Sequence, residues 1–175
     1  RYTSLTVLSS KYTFPHLTVQ AHILGTYISE HVKKGSAPAD LHRLSPSISM
    51  NYRPWKEHLF FIRAMYKGCF RTPTFNDLYY FRSGNKDLKP EKAQEYNIGI
   101  TYGGSPFTFL NYCSITLDGY YNRVTDKIVA FPSTYVWRMQ NYGKVRIIGM
   151  DATLSTEFPL THRSEIHFSC GYTLQ

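Results

Sequence analysis

The side chains of this chain alternate between apolar and polar residues with a period of two. Between Asn111 and Asn122 the odd positions are apolar or aromatic apart from Gly119, whereas the even positions carry Ser, Thr, Asp, Asn and Tyr. Successive side chains of a β-strand point to opposite faces, so this segment would have one apolar and one polar face as a strand. A helix with the same order of residues would have no coherent apolar face, and the segment is therefore predicted to be a strand.

The same alternation recurs along most of the chain. Five further segments show it: 44–52, 60–71, 95–102, 148–158 and 165–174. Weaker patterns predict two more strands at 1–11 and 17–31. The predicted fold class is therefore all-β, an antiparallel meander of about seven or eight long strands.

The connections between these strands are predicted to alternate in length. Short turns are expected near Arg53–His58, Gly103–Phe109 and Phe158–Arg163. Longer or more irregular links are expected at Val32–Leu41 and Arg71–Pro90, with a tighter one near Phe131–Tyr135. Outer-membrane β-barrels have short periplasmic turns and longer extracellular loops, so we assign the long connections to the cell exterior.

A soluble β-sandwich, such as an immunoglobulin-like binding domain, also alternates apolar and polar residues. The predicted strands of roughly ten to twenty residues exceed the globular norm of about five or six, which favours the barrel wall. The chain also contains 15 Tyr and 11 Phe, and membrane barrels concentrate aromatic residues in two interfacial girdles. No segment approaches the ~18 continuous apolar residues that a membrane-spanning helix needs.

Charge and reactive residues indicate neither a nucleic-acid-binding protein nor an enzyme. The formal charge is +8, but Lys and Arg are scattered along the sequence and often lie next to turns, unlike the clustered basic surface of a nucleic-acid-binding protein. The seven His residues form no HExxH pattern, and neither a Gly-x-Ser-x-Gly elbow nor a phosphate-binding glycine loop occurs. We therefore predict no enzymatic activity and no cofactor.

Metal and disulfide sites are also not predicted. His162 and His167 flank Glu165, but a strand would place His162 on the opposite face from the other two. Three Cys residues stand far apart, which favours neither a disulfide framework nor a zinc site. They are expected to serve as small hydrophobic side chains; they are Cys69, Cys113 and Cys170.

Three ordered motifs resemble those of a known family. Residues 70–80 read FRTPTFNDLYY, followed by GNKDLKPE at 84–91 and YNIG at 96–99. This segment closely resembles the barrel signature of TonB-dependent outer-membrane receptors. The segments YYNRVTDKIV at 120–129 and NYGKVRIIGMD at 141–151 resemble two further strands of that family. The chain is most similar to receptors for cobalamin and for ferric siderophores.

This resemblance implies a larger protein. Receptors of the family are barrels of 22 strands that enclose an N-terminal plug domain, and TonB pulls on a short N-terminal segment to open a path for the nutrient. Arg1 begins in strand-like sequence and Gln175 ends within an alternating run. We therefore expect residues 1–175 to be part of the barrel domain, with the plug outside this sequence.

The resemblance also implies partners. These are the lipid and lipopolysaccharide of the Gram-negative outer membrane, a nutrient chelate as ligand, and the TonB complex through the missing N-terminal region. Unpaired edge strands would let an isolated fragment self-associate. The implied function is import of cobalamin or a ferric siderophore, and the alternative is a non-transporting outer-membrane barrel, such as an adhesin or a passive porin.

The residues of the first motif are expected to have mainly structural roles. Pro73 ends a strand because it lacks a backbone donor, and Thr74 or Asn76 is expected to cap a short helical turn. Gly99 and Gly149 are expected to let side chains of neighbouring strands approach closely. The residues that carry the resemblance are Phe70, Arg71, Pro73, Phe75, Asp77, Leu78, Gly84, Asn85, Leu88, Pro90, Glu91 and Gly99.

Ligand contacts are expected from the outer loops. Aromatic and Arg side chains suit a large, partly apolar chelate, because rings bury area and a guanidinium group binds carboxylate or phosphate. The candidate ligand-binding residues are Tyr79, Tyr80, Phe81, Arg82, Asn85, Tyr135 and Trp137. For any one of them the alternative is a place in an interfacial girdle of the barrel.

Overall fold

Eight antiparallel strands form a single sheet in which each strand pairs with its neighbours in chain order. The computed structural model describes residues 2–31, 40–57, 59–105, 109–133, 135–161 and 164–175. A short helix, α1 (Phe75–Tyr79), lies between the fourth and fifth strands. The strands are β1 (Tyr2–Thr13), β2 (Leu17–Ser29), β3 (Leu41–Tyr52), β4 (Leu59–Arg71), β5 (Glu91–Gly104), β6 (Tyr112–Pro132), β7 (Trp137–Thr161) and β8 (Ser164–Leu174).

The all-β antiparallel meander predicted from the alternation is confirmed, and strands account for 76% of the described residues. Within the described ranges, no helix is long and apolar enough to cross a membrane. The longer connections, between β2 and β3 and between β4 and β5, lie at the same end of the sheet as the β6–β7 connection. We call this end of the wall the rim.

One predicted turn begins later in the structure. Phe158 was expected to start the last turn, but β7 continues to Thr161 and pairs with β8 up to Ser164. The register shifts between Pro159 and Thr161, which is where a proline without a ladder donor is tolerated. Parts of the predicted turns lie outside the described residues, namely 32–39, His58, 106–108, Thr134 and 162–163.

The register aligns most apolar positions of β2 to β8 on one side of the sheet, which we call the outer face. In the middle of the wall, Ile62 lies opposite Ile100, which lies opposite Leu117, which in turn lies opposite Ala152. Large apolar side chains of the outer face are exposed: Leu44 of β3 is 74% exposed and Ile148 of β7 is 68% exposed. A sandwich would bury this face against a second sheet, so the described part of the chain fits lipid as the medium on this side.

The opposite, inner face carries polar and charged side chains that pair across strands. Arg63 of β4 donates two hydrogen bonds to the Asp118 carboxylate of β6, at 2.9 and 3.1 Å, and thereby spans the intervening strand β5. Gly99 lies between them in the register. A Cβ atom on Gly99 would overlap the Asp118 carboxylate and lie 3.1 Å from Nη2 of Arg63. The expected close approach at Gly99 is confirmed, and the glycine makes room for the ion pair.

Gly149 of β7 likewise makes room for a side chain of the neighbouring strand, in this case an aromatic ring. A Cβ atom at this position would overlap the Tyr120 ring and lie 2.8 Å from the carbonyl oxygen of Leu174. The expected close approach at Gly149 is therefore also confirmed. Both glycines lie on the inner face, where large side chains of neighbouring strands reach across the sheet.

We predict that Gly99→Ala destabilises the barrel because the added methyl group displaces Asp118 from Arg63. Overpacking of this kind costs about 1–3 kcal/mol. The matched control is Gly171→Ala on β8, where an added Cβ would meet nothing within 4 Å. Urea unfolding of the full-length receptor in detergent, followed by tryptophan fluorescence, measures both variants, and equal stability of the two would contradict this account of Gly99.

Candidate functional site

The connection between β4 and β5, residues 72–90, folds around α1, and we call it the motif loop. Thr74 caps the helix with extended backbone angles, and its hydroxyl accepts a hydrogen bond from the Asp77 amide at 3.2 Å. The Asp77 carboxylate in return accepts from the Thr74 amide at 2.8 Å. This reciprocal capping box satisfies two amides that a helix start leaves unpaired. Of the two predicted caps, Thr74 is confirmed.

A tight turn after α1 requires glycine at position 84. The Gly84 amide donates to the carbonyl of Tyr80 at 2.8 Å. A Cβ atom on Gly84 would lie 2.7 Å from the Leu78 carbonyl oxygen and 2.7 Å from the Tyr80 nitrogen. Because both obstacles are backbone atoms, a larger residue at position 84 would force the turn open.

Glu91 joins the motif loop to the second family motif. Its Oε1 accepts from Arg71 Nη2 at 3.1 Å and from the backbone amide of Ile128 at 2.7 Å. Arg71 Nη2 also lies 4.0 Å from Oδ2 of Asp77. The Glu91 side chain is only 14% exposed, and a shielded charge-assisted bond of this kind is stronger than a surface one. Glu91 therefore links Arg71, which precedes the loop, and the start of β5, which follows it, to β6.

Two asparagines join the loop to the first part of β7, which includes the start of the third family motif. The Asn141 amide group accepts from the Lys89 amide at 2.7 Å and donates to the Lys89 carbonyl at 2.8 Å and to the Asp126 carbonyl at 2.7 Å. It pairs with Lys89 as a neighbouring strand would. Asn85 Nδ2 donates to the Met139 carbonyl at 3.0 Å, and the Met139 amide donates to the Ser83 carbonyl at 2.9 Å.

A small apolar cluster lies beneath the motif loop. Leu78 and Leu88 of the loop and Ile128 of β6 are buried together, with Tyr79 and Met139 packed against them. Burial raises the pKa of the Tyr79 phenol above its ordinary value, and the Glu30 carboxylate raises it further. The loop therefore reaches from the end of β2 to β7 across the rim.

The three family motifs thus meet in one place. Glu91 of the first motif accepts from the Ile128 amide of the second, and the Asn141 side chain of the third motif bonds to the Lys89 backbone of the first. Asn141 lies within the third motif, but its role was not predicted from the sequence, and neither was the Glu91–Ile128 contact. Both join positions far apart in the chain, and nothing local in the sequence indicates such a pairing.

The structure separates the seven candidate ligand-binding residues into two groups. Asn85 and Tyr79 have side chains engaged within the loop: Asn85 holds Met139, and Tyr79 packs on the Phe75 ring at 4.9 Å. The other five are exposed, with Phe81 at 79% and Tyr135 at 95%. They are Tyr80, Phe81, Arg82, Tyr135 and Trp137.

The exposed candidates lie at the rim. Arg82 has a positive φ of 67° and its guanidinium lies 5.2 Å from the centre of the Phe81 ring. The Ser83–Met139 backbone bond holds this tip of the loop close to the start of β7, where Trp137 lies. An aromatic and cationic surface of this kind can contact both apolar and anionic parts of a ligand.

No metal site emerges within the described ranges, where no group of three or more His, Cys, Asp or Glu side chains is suitably placed. His167 instead lies 3.4 Å from Glu157 on β7, and Glu165 accepts from Asn111 at 3.2 Å. His162 lies outside the described residues. The three Cys residues are free thiols.

Comparisons with known proteins identify the family. A family model described as TonB dependent receptor-like, beta-barrel, matches residues 9–174. The chain belongs to the TonB-dependent receptor family. Receptors of this family are β-barrels of the Gram-negative outer membrane, which is where this wall resides. They are transporters and receptors and not enzymes, in agreement with the lack of catalytic motifs in the sequence.

Two curated relatives are vitamin B12 transporters. BtuB of Vibrio vulnificus is 28% identical over 137 residues, covering 71% of this chain and 21% of that protein. BtuB of Photobacterium profundum is 53% identical over 32 residues, covering 18% of this chain and 5% of that protein. The chain thus spans a minor part of the length of these relatives.

Two solved structures share the fold. The FrpB iron transporter from Neisseria meningitidis (F5-1 variant, apoprotein form) superposes with a TM-score of 0.62 at 14% identity, covering 98% of this chain and 26% of that one. The siderophore receptor PirA from Pseudomonas aeruginosa superposes with a TM-score of 0.62 at 19% identity, covering 98% of this chain and 32% of that one.

We predict that Asn141→Ala loosens the motif loop, because the substitution removes the partner of the Lys89 amide and of two carbonyl groups. A hydrogen bond contributes about 1 kcal/mol, so the Lys89 amide should exchange with deuterium about fivefold faster. Hydrogen exchange of the full-length receptor measures this. Asn97→Ala is the control, since the Asn97 side chain makes no hydrogen bond within the described part of the chain; an unchanged Lys89 rate in Asn141→Ala would contradict the role of Asn141.

Proposed function

We propose that this chain is part of the barrel domain of an importer that takes up a large, scarce nutrient, cobalamin or a ferric siderophore. In this proposal residues 1–175 supply part of a wall of 22 strands, and a plug domain closes the lumen. The TonB complex acts on the N-terminal region of the whole protein. Membership of the TonB-dependent receptor family supports the proposal, and the relatives do not favour the alternative of an adhesin or a passive porin.

The exposed aromatic and cationic tip of the motif loop carries the proposal for ligand contact. Tyr80, Phe81 and Arg82 are exposed although the loop that bears them is fastened to β6 and β7. A fastened loop loses little conformational freedom when a ligand binds, so its exposed side chains can contribute affinity efficiently. Tyr135 and Trp137 extend the same surface at the β6–β7 connection.

The vitamin B12 transporters and the siderophore receptor among the relatives support the two proposed nutrient classes. The rim has features suited to each. Phe81 and Trp137 offer apolar area that suits either ligand. Arg82 offers a guanidinium group that pairs with carboxylate, which favours an anionic ferric siderophore.

We predict energised uptake by cells that produce the full-length protein. Labelled cobalamin and a labelled ferric siderophore are supplied separately to cells with and without TonB. The proposal expects accumulation of one of them that is lost without TonB. Uptake that is independent of TonB, or no uptake of either nutrient, would contradict it.

Variants at the rim test which residues bind the transported nutrient. Removal of a central aromatic anchor commonly costs about 2 kcal/mol, which raises Kd roughly 30-fold. Phe81→Ala is therefore expected to weaken binding of the transported nutrient, with Gln140→Ala, an exposed neighbour on β7, as the control. Arg82→Gln is expected to weaken binding strongly only if the nutrient is an anionic siderophore. Equal affinities of Phe81→Ala and Gln140→Ala would place the ligand contacts elsewhere.

A further inference from the structure

Four basic residues gather on the outer face of the wall near the rim. Arg123 of β6 lies directly opposite Arg146 of β7. One step closer to the rim, Lys92 of β5 and Lys144 of β7 lie on either side of Thr125. We call these four residues the basic patch. Neighbouring strands are about 4.8 Å apart and same-face positions about 6.8 Å apart, so the four backbone positions lie within roughly 10–12 Å.

The register places this patch on the lipid side of the sheet. Lys92 pairs with Phe70, and Arg123 follows two positions after Tyr121, whose partner is Ile148. Side chains two positions apart along a strand share a face. The patch therefore continues the apolar outer face and does not belong to the polar inner face.

The three cations that β4 carries on the inner face are neutralised within the wall, whereas those of the patch are not. Arg63, Lys67 and Arg71 on β4 each lie within 4.0 Å of a carboxylate. None of the four patch residues has such a partner in the described part of the chain. The acidic residues at paired strand positions lie on the inner face: Glu91, Glu95, Asp118, Asp151, Glu157 and Glu165.

The arrangement of the patch favours a bound anion. Like charges directly opposite each other on neighbouring strands destabilise a sheet, and Arg123 and Arg146 are such a pair. In addition, Nε of Arg123 is buried and has no hydrogen-bond partner among the described residues. A bound phosphate would neutralise the pair and accept from guanidinium groups in a fork geometry.

The level of the patch matches the headgroup region of the outer leaflet. A row of tyrosines crosses the outer face one step further from the rim: the Tyr66 and Tyr96 rings are 5.0 Å apart, and the Tyr96 and Tyr121 rings are 6.0 Å apart. Such rows mark the membrane–water interface of a barrel. The rim carries the long connections and is assigned to the cell exterior, so the patch lies just outside the interface that faces the cell surface.

An apolar groove continues from the tyrosine row into the hydrocarbon. It has a volume of about 490 Å³, and its lining includes Ile48, Ala64, Ile98 and Gly119. The basic groups lie at headgroup level and the groove lies deeper in the membrane. This arrangement fits a lipid whose phosphates lie at the surface and whose acyl chains extend into the hydrocarbon.

We propose that the basic patch binds the phosphorylated headgroup of one lipopolysaccharide molecule, with an acyl chain in the groove below. Arg123 and Arg146 hold a phosphate by paired hydrogen bonds, and Lys92 and Lys144 add charge from either side. Lipopolysaccharide is favoured over a free anion because the groove and the tyrosine row adjoin the patch.

The test measures lipopolysaccharide retained by the full-length receptor after purification in mild detergent, by native mass spectrometry. Arg123→Gln combined with Arg146→Gln should retain several-fold less than the wild type. Arg123→Lys combined with Arg146→Lys keeps the charge and should retain more than the glutamine pair. The control is Lys11→Gln combined with Lys56→Gln, which removes the same charge away from the patch and should retain the wild-type amount. Wild-type retention by the glutamine pair would overturn the proposal.

Receptor stripped of lipid distinguishes the sources of phosphate. Lipopolysaccharide, its dephosphorylated form, phosphatidylglycerol and inorganic phosphate are added separately, and the thermal unfolding midpoint is recorded. The proposal expects the largest rise with lipopolysaccharide and loss of most of that rise in the glutamine pair. An equal rise with dephosphorylated lipopolysaccharide, phosphatidylglycerol or inorganic phosphate would overturn it. Because no nutrient is present, these outcomes are independent of transport.

Discussion

The hydrocarbon of a membrane offers no hydrogen-bond partner to a peptide group, so a chain that crosses it as strands must pair each strand with neighbours. Here the ladder continues from β1 to β8 in chain order. The period-two alternation then fixes which side chains meet lipid, because each register aligns apolar positions with apolar positions. A slip of one residue in any strand would turn its charged side chains into the lipid.

The rim is stabilised by side-chain contacts in addition to the strand ladder of the wall. Glu91, Asn85 and Asn141 use side chains to bind backbone groups of other elements, and thereby fasten the motif loop. The three family motifs form one structural unit for this reason. Its exposed tip, Phe81 and Arg82, can vary in chemistry without loss of these contacts, which suits receptors that share a wall but differ in nutrient.

Local patterns in the sequence predicted what depends on local physics. The alternation predicted the strands and their two faces, Thr74 was anticipated as a helix cap, and the resemblance of the motifs predicted the family. The strand β7 extended beyond the predicted turn at Phe158 because a register shift accommodates Pro159. The number of strands in the whole barrel stays a prediction, as does the assignment of ligand-binding residues.

Contacts between positions far apart in the chain could not be predicted from the sequence. Glu91 accepts from the Ile128 amide, 37 positions along the chain. Asn85 was predicted to bind a ligand, but its side-chain amide donates to the Met139 carbonyl. The Lys and Arg residues looked scattered along the chain. Pairing of β5, β6 and β7 places Lys92, Arg123 and Lys144 on one side of the wall, which no reading of the linear order indicates.

The central claim is that one face of this sheet meets lipid and the other meets the barrel interior. Spin labels placed singly at positions 113 to 121 of β6, in the full-length receptor reconstituted in bilayers, test it most directly. The account predicts that labels at odd positions collide with oxygen dissolved in lipid, and that labels at even positions are shielded from it, with a period of two. Equal oxygen accessibility at odd and even positions, or the reverse order, would contradict the account.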